Sequence, residues 1–360
     1  MRHRETPSVR RVVGANLALF VGSVVLAFVV LEAGLRLYAG VPVWRITNFI
    51  SDQADQFKLR TRVVYDARLG WVPKPNVHDR FFNTGAYGIR LANKVDRPVP
   101  QGAILVSGSS FAFGEEVDDN ESWPANLETI TGIPVINAAA GAWSPDQSIM
   151  RVEDLMEIAR PKTIILGLVW RDVWGAEYEV NFGGWKPYYT AEAGDLVLHN
   201  VPVPRVTVSA QELGWVRSVV GYSYTVFWVA QRLGQQNWLY PGFTQFKRAT
   251  PAGTGESITC LLIRRLKARA ERDGSRLMLV MQYHYQDFRE AQPPLSIAIV
   301  NCAGDAGADT IDSWRPLAEI YGDDPARFAS LFTHGPGSHM SPAGNRLIAA
   351  EIARRLQTGN

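Results

Sequence analysis

Val12 to Leu31 reads VVGANLALFVGSVVLAFVVL, twenty residues without a charge. About 20 apolar residues in a helix cross the hydrocarbon of a bilayer. Three fates suit such a run: a retained anchor, a cleaved signal peptide, or a helix buried in a soluble core. A signal peptide has a shorter apolar region, about 7–15 residues, and ends at an A-x-A-like site. This run is longer, and no clean site follows it. A buried core helix rarely sits at a chain end apolar all round. The retained anchor is favoured. Arg2, Arg4, Arg10 and Arg11 precede the run, and Glu32 and Arg36 follow it. The positive excess predicts a single pass of the inner membrane, with a cytoplasmic N-terminus and a periplasmic main domain. A second apolar stretch, Ser218 to Ala230, is too short to span comfortably. It reads as a packed or interfacial helix.

The remaining chain is long enough for one elaborated α/β domain. Of 360 residues, 46% are hydrophobic, and 37 Lys+Arg against 35 Asp+Glu leave a net charge of +2. That balance gives no electrostatic case for nucleic acid. Cys260 and Cys302 could pair in an oxidising compartment or remain two small hydrophobes. Neither lies in a metal-binding pattern, so the reading needs no metal and no cofactor. The oligomeric state is open.

Three regions follow. Residues 1–39 are the cytoplasmic stub and anchor, and 40–100 a Pro-punctuated linker. From 101 to 360 strands and helices alternate, interrupted by an aromatic-rich insertion at about 174–250. AILVS (103–107), PVIN (134–137), TIILGLV (163–169), RLMLVMQ (276–282) and DTIDS (309–313) read as strands. Helical spacing covers 121–131, 145–159, 258–271 and 346–356. Apolar strands alternating with helices predict a parallel sheet covered on both faces. The insertion's rings, among them Trp174, Tyr189 and Trp215, are core filler or a stacking platform for sugars.

In such sheets ligands bind beyond the carboxyl ends of the strands. SGSSFAFG (107–114) follows the first strand, and HGPGSHMSPAGN (334–345) precedes the last helix. Ser341 suits an N-cap and Pro342 a first helical position, which places His339 on the loop just before that helix. A serine nucleophile needs a base in hydrogen-bond reach and donors for the oxyanion. Ser110 and His339 supply such a pair, with the backbone of Ser110 and of Gly141 or Ala142 as donors. His284 is a weaker alternative base at the end of the fourth strand.

The order of these pieces resembles the SGNH (GDSL-like) hydrolase family, of the membrane-anchored bacterial type. SGSSFAFGEEVDDNESWPANLE is similar to its first block, VINAAAGAWSPDQ to its second, IILGLVWRDVW to its third and SHMSPAGNRLIA to its last. The resemblance covers roughly residues 65–357. It implies a three-layer α/β/α, flavodoxin-like parallel sheet. It also implies Ser110 as nucleophile, His339 as base, and Gly141 and Arg171 as oxyanion or substrate contacts. Three positions depart from the pattern. Ser109 replaces the aspartate of the first block, and Arg171 the asparagine of the third. No aspartate precedes the histidine, where Pro336 and Gly337 stand. Asp172 and Asp312 are the candidate acids, chosen by topology. The resemblance and the setting imply hydrolysis of O-acyl esters of envelope glycans or lipids. The alternatives are an O-acyltransferase, or a catalytically silent glycan-binding or scaffold protein.

Overall fold

The computed structural model describes residues 9–50, 62–79, 82–92, 97–192, 194–205, 214–239, 244–333 and 338–358. Arg2, Arg4, Pro336 and Gly337 therefore lie outside the described residues. The chain divides into two compact units, one within 1–59 and 206–243, the other within 60–205 and 244–360.

The larger unit is built on one parallel sheet. Its strands are β1 (Ile104–Gly108), β2 (Val135–Asn137), β3 (Thr163–Val169), β4 (Arg276–Gln282) and β5 (Asp309–Asp312). Their spatial order is β2-β1-β3-β4-β5. This is the doubly wound order, whose switch point lies between β1 and β3. β1 is buried along its whole length, and β3 along all but Thr163. That is why both read as unbroken apolar runs rather than alternating ones. Helices Trp123–Thr131 and Pro342–Thr358 pack together, as do Pro145–Ala159, Thr254–Arg272 and Pro294–Asp305, completing three layers. Pro294–Asp305 was not legible in the periodicity, nor were Trp314–Asp323 and Pro325–Ser330. Cys260 and Cys302 form a disulfide between two of these helices, with Cα atoms 5.9 Å apart.

β1 and β3 approach so closely at their ends that the chain needs glycine there. Gly108 pairs with Gly167, and a Cβ on Gly108 would collide with the Gly167 carbonyl oxygen. The turn that follows can therefore leave the sheet at once.

The segment expected as a linker contains regular structure within residues 62–79 and 82–92. Val63–Asp66 and Gly70–Pro73 form an antiparallel hairpin. Trp71 on it is fully buried. Its indole donates to the Gly141 carbonyl at 3.1 Å, and the Trp143 indole donates to the Trp71 carbonyl at 3.1 Å. The insertion also differs from its expected form, because it divides between the units. Strands Tyr178–Asn181, Gly184–Trp185, Tyr188–Glu192 and Asp195–His199 belong to the α/β unit. Lys186 binds them to the helix Pro145–Ala159 through Asp146, at 2.6 Å, both side chains fully buried.

The smaller unit contains the helix Val9–Tyr38, within which Asn16–Tyr38 carries an 18-residue window of mean hydropathy 2.3 with no buried residue. By length and composition it suits a membrane span or a signal sequence. Ser218–Ala230 is two helices, Gly214–Val220 and Tyr224–Arg232, broken at Gly221. Glu32 accepts from the Ser223 hydroxyl (2.9 Å) and from the backbone N–H of Tyr224 (2.7 Å) and Thr225 (2.8 Å). A carboxylate at a helix N-terminus satisfies donors the helix itself cannot. Arg36 pairs with Glu32 at 2.6 Å and donates to the carbonyls of Arg45 and Tyr222. The two charges that follow the apolar run, Glu32 and Arg36, thus have partners of their own.

Candidate active site

Ser110 opens a one-turn helix, Ser110–Phe113, directly beyond β1. His339 comes from a loop pinned on both sides. The Thr333 N–H donates to the His339 carbonyl at 3.1 Å, and the Ser341 N–H to the Leu331 carbonyl at 2.8 Å. The last helix begins at Pro342 as the sequence predicts, and the Ser341 hydroxyl accepts from the Gly344 N–H at 3.3 Å. Asn345 in its first turn accepts from the Trp123 N–H at 2.9 Å, tying the histidine's helix to the one that follows the serine. The result is a hydrogen bond of 2.8 Å between Ser110 Oγ and His339 Nε2. Residues 229 apart in sequence meet at the distance a nucleophile and its base require. Phe111 packs against the His339 ring, with centroids 5.1 Å apart.

The other imidazole nitrogen faces Glu116. Its Oε2 lies 3.5 Å from His339 Nδ1. That is an ion-pair separation. Nδ1 makes no hydrogen bond among the described residues. Burial raises the Glu116 carboxyl, but the Thr333 hydroxyl and the His339 ring outweigh it and hold it below its ordinary value. Glu116 sits in the left-handed region, with φ +68. A non-glycine residue there is strained, and such strain clusters at functional sites.

The strain is held by Arg90, which is almost fully buried. Its guanidinium donates to the carbonyls of Phe113 (2.8 Å), Gly114 and Val117 (2.7 Å), and to Asp119 Oδ1 at 3.2 Å. One cation therefore binds the loop on either side of Glu116. Its fork of donors matches several carbonyls at once, which an ammonium on a flexible stem does not.

Of the two carboxylates chosen from the sequence, neither touches the His339 ring. Asp312 accepts from the Tyr283 hydroxyl (2.7 Å), Gln292 Nε2 (2.6 Å) and the Trp314 N–H (3.0 Å). It lies at the end of the edge strand β5, three strands from β1. Asp172 accepts from the Val169 N–H at 3.0 Å. Burial pushes its carboxyl up to about 6, against the opposing pull of Ser109, the Val169 N–H and His284. Asp172 thus answers to Ser109, the Val169 N–H and His284, and among the described carboxylates it is Glu116 that faces the imidazole. No sequence signal singles out Glu116, because EEVDD (115–119) offers several carboxylates together.

Gly141 lies beyond β2, its carbonyl fixed by Trp71. A side chain there would collide with the Glu115 carboxylate. Among the described residues the N–H groups of Ser110 and Gly141 take no acceptor. Arg171 is engaged elsewhere. Its Nη2 donates to Asp287 Oδ1 at 2.9 Å, and its guanidinium lies over the Trp170 ring at 4.5 Å. Asp287 also accepts from the Trp170 indole at 2.9 Å and the His284 N–H at 2.9 Å. Burial raises the Asp287 carboxyl, but His284, Arg171 and Trp170 together hold it down at about 2. The His284 ring sits against Phe111, 4.9 Å between centroids, and makes no bond to Ser110.

No family model and no curated protein matches the chain. Solved structures do match. A lipolytic protein of the G-D-S-L family from Desulfitobacterium hafniense is 13% identical, with a TM-score of 0.38 over 71% of this chain and 99% of that one. The acetyl xylan esterase AlAXEase is 12% identical, with a TM-score of 0.41 over 70% and 99%. The psychrotrophic esterase EstA from Pseudoalteromonas is 12% identical, with a TM-score of 0.38 over 72% and 100%. At such scores the fold rests on the sheet order described above, and the chemistry on the residues.

Proposed function

We propose that the chain is a membrane-anchored, periplasm-facing serine hydrolase of the SGNH type, acting on O-acyl esters. The 2.8 Å contact between Ser110 Oγ and His339 Nε2, at the mouth of the switch point, carries this reading. Ser110 Oγ attacks the ester carbonyl while His339 Nε2 takes its proton. The N–H groups of Ser110 and Gly141 bind the oxyanion of the tetrahedral intermediate. His339 returns the proton to the leaving alcohol, and an acyl-Ser110 remains. Water, deprotonated by the same imidazole, cleaves it to a carboxylic acid and free serine. Glu116 orients the imidazole and stabilises its cation. The 3.5 Å gap to Nδ1 closes by a small side-chain movement, in line with the looseness of catalytic contacts before substrate binds.

The apolar helix and the arginines ahead of it support the anchored orientation. The Cys260–Cys302 bridge suits an oxidising compartment. A fluorophosphonate probe tests the chemistry. It should label the wild-type protein and fail on Ser110→Ala, with weaker labelling of His339→Ala. A folded wild-type protein that takes no label and turns over no p-nitrophenyl acetate overturns the hydrolase reading.

A further inference from the structure

We propose that the smaller unit makes a second membrane contact. A collar of exposed rings and aliphatic side chains surrounds the exit of the helix Val9–Tyr38 and seats in the headgroup layer of a bilayer. The proposal rests on the anchored reading and names the lipid surface as a partner of the same unit. The unit has an interior of its own, in which Phe49, Ile50, Phe227 and Leu239 are buried together. Other apolar residues are left out of that interior. Ile46 is 90% exposed, Trp215 81%, Trp44 80% and Val219 66%. Leu37 and Tyr38, which close the apolar helix, also stand outward. Single exposed apolar residues are ordinary, whereas a group of them around one place marks a contact surface.

Hydrogen bonds bring these residues to one level. Arg36, in the last turn of the apolar helix, donates to the carbonyls of Val43 (3.4 Å), Arg45 (2.8 Å) and Tyr222 (3.0 Å). Trp44 is therefore held between two carbonyls fixed by one guanidinium. Arg36 comes only two residues before Tyr38, about 3 Å along the helix axis. Asn48 donates to the carbonyls of Arg217 (3.0 Å) and Ser218 (3.3 Å), and the Phe49 N–H to the Gly221 carbonyl at 2.7 Å. The loop that leaves the apolar helix is thereby laced to the helix Gly214–Val220. On that helix Trp215, Val216 and Val219 are exposed at the spacing of one face. Tryptophan and tyrosine collect where hydrocarbon meets water, because each has an apolar body and a polar tip. The charges point the same way. Residues 32–50 and 214–239 hold four arginines, Arg36, Arg45, Arg217 and Arg232, against one acidic residue, Glu32. Glu32 is already taken by Arg36 and a helix end. Such a face suits headgroup phosphates. A second copy of the chain, meeting it symmetrically, would bring the same arginines together.

The test uses the full chain in vesicles of phosphatidylcholine and phosphatidylglycerol. Cys260 and Cys302 are the only cysteines and are bonded to each other, so one introduced cysteine alone takes an NBD label. Ile46→Cys and Val219→Cys sample the collar from its two segments, and Leu26→Cys samples the apolar run. Free NBD-cysteine in buffer gives the water reference. All three variants should keep the parent thermal midpoint, since none of these side chains is buried. Labels at 46 and 219 should emit to the blue of the reference. They should lose at least about half their intensity when the lipid is brominated near the headgroup end of its chains, and less when it is brominated near the methyl end. The label at 26 should show the reverse order. Emission at 46 and 219 equal to the reference overturns the collar. So does a blue shift there that no brominated lipid quenches, because it marks a protein contact such as a second copy. Deep quenching at 26 with none at 46 and 219 removes the collar alone. Shallow quenching at 46 and 219 with none at 26 removes the span and leaves the collar.

Discussion

Leu26 and Val106 are both aliphatic residues in the middle of a regular element, yet Leu26 is 65% exposed and Val106 is 0% exposed. The neighbours of each follow suit. Leu19, Phe20 and Val30 stand outward like Leu26, while Leu105 and Ile165 are enclosed like Val106. Buried polar groups follow the opposite course. Arg90 with Asp119 and Lys186 with Asp146 are interior pairs of the α/β unit. In the smaller unit, Glu32 and Arg36 cap a helix end. The lesson concerns the solvent. A water-facing unit hides its apolar area and gains about 25 cal/mol per Å². A helix that leaves such area outward all round is stable where the surroundings are hydrocarbon, as the anchored reading requires.

The sharpest way to break that division is to remove the nucleophile. Ser110→Ala should lower turnover of p-nitrophenyl acetate by at least ~10³-fold while the protein stays in the membrane fraction. Residual turnover near wild type would move the chemistry elsewhere. Arg90→Ala leaves Asp119 buried without its cation and should cost about 3–5 kcal/mol in denaturant unfolding of the α/β unit. A cost under ~1 kcal/mol would show that the clasp is incidental. Leu26→Arg puts a charge at mid-helix, worth about 3 kcal/mol against insertion. It should shift the protein out of the membrane fraction and leave fluorophosphonate labelling intact, and unchanged retention would argue against a span.

Asp172 gives a test by pH. An acid whose folded value is raised to about 6 from 3.8 destabilises the fold above its unfolded value. That penalty is absent below about pH 4, grows as pH rises to about 6, and is constant beyond. Asp172→Asn removes it. The variant should therefore gain on wild type between pH 4 and 6, by at most about 3 kcal/mol and less for the solvated part of the side chain. A stability difference that is flat with pH would refute the buried-carboxyl assignment. The smallest effect belongs to Glu116→Gln. It should lower kcat about 10–100-fold with KM little changed. Equal activity would leave Ser110 and His339 as a dyad.

Much of the sheet was legible because its strands are buried on both faces. TIILGLV and RLMLVMQ match the observed β3 and β4 residue for residue. Helix Pro145–Ala159 was legible from its spacing. Helix Pro294–Asp305 was not, because its sequence is apolar on most sides and gives no stripe. Ser110 and His339 were found through the order of the blocks, since nothing local links residues so far apart. Arg90 and Glu116 were missed for physical reasons. Arg90 acts on carbonyls, which leave no side-chain signature. Glu116 is selected by a left-handed backbone that no propensity assigns to glutamate.

Ser110 and Glu116 lie six positions apart in one segment, so only the imidazole comes from elsewhere in the chain to join them. With Glu116 in the proposed role, the loop ahead of position 339 is released from supplying a carboxylate, and its sequence can drift toward Pro and Gly. A survey that scored relatives by the residue two or three places upstream of the histidine would file such chains among the inactive ones. It should look instead just downstream of the serine.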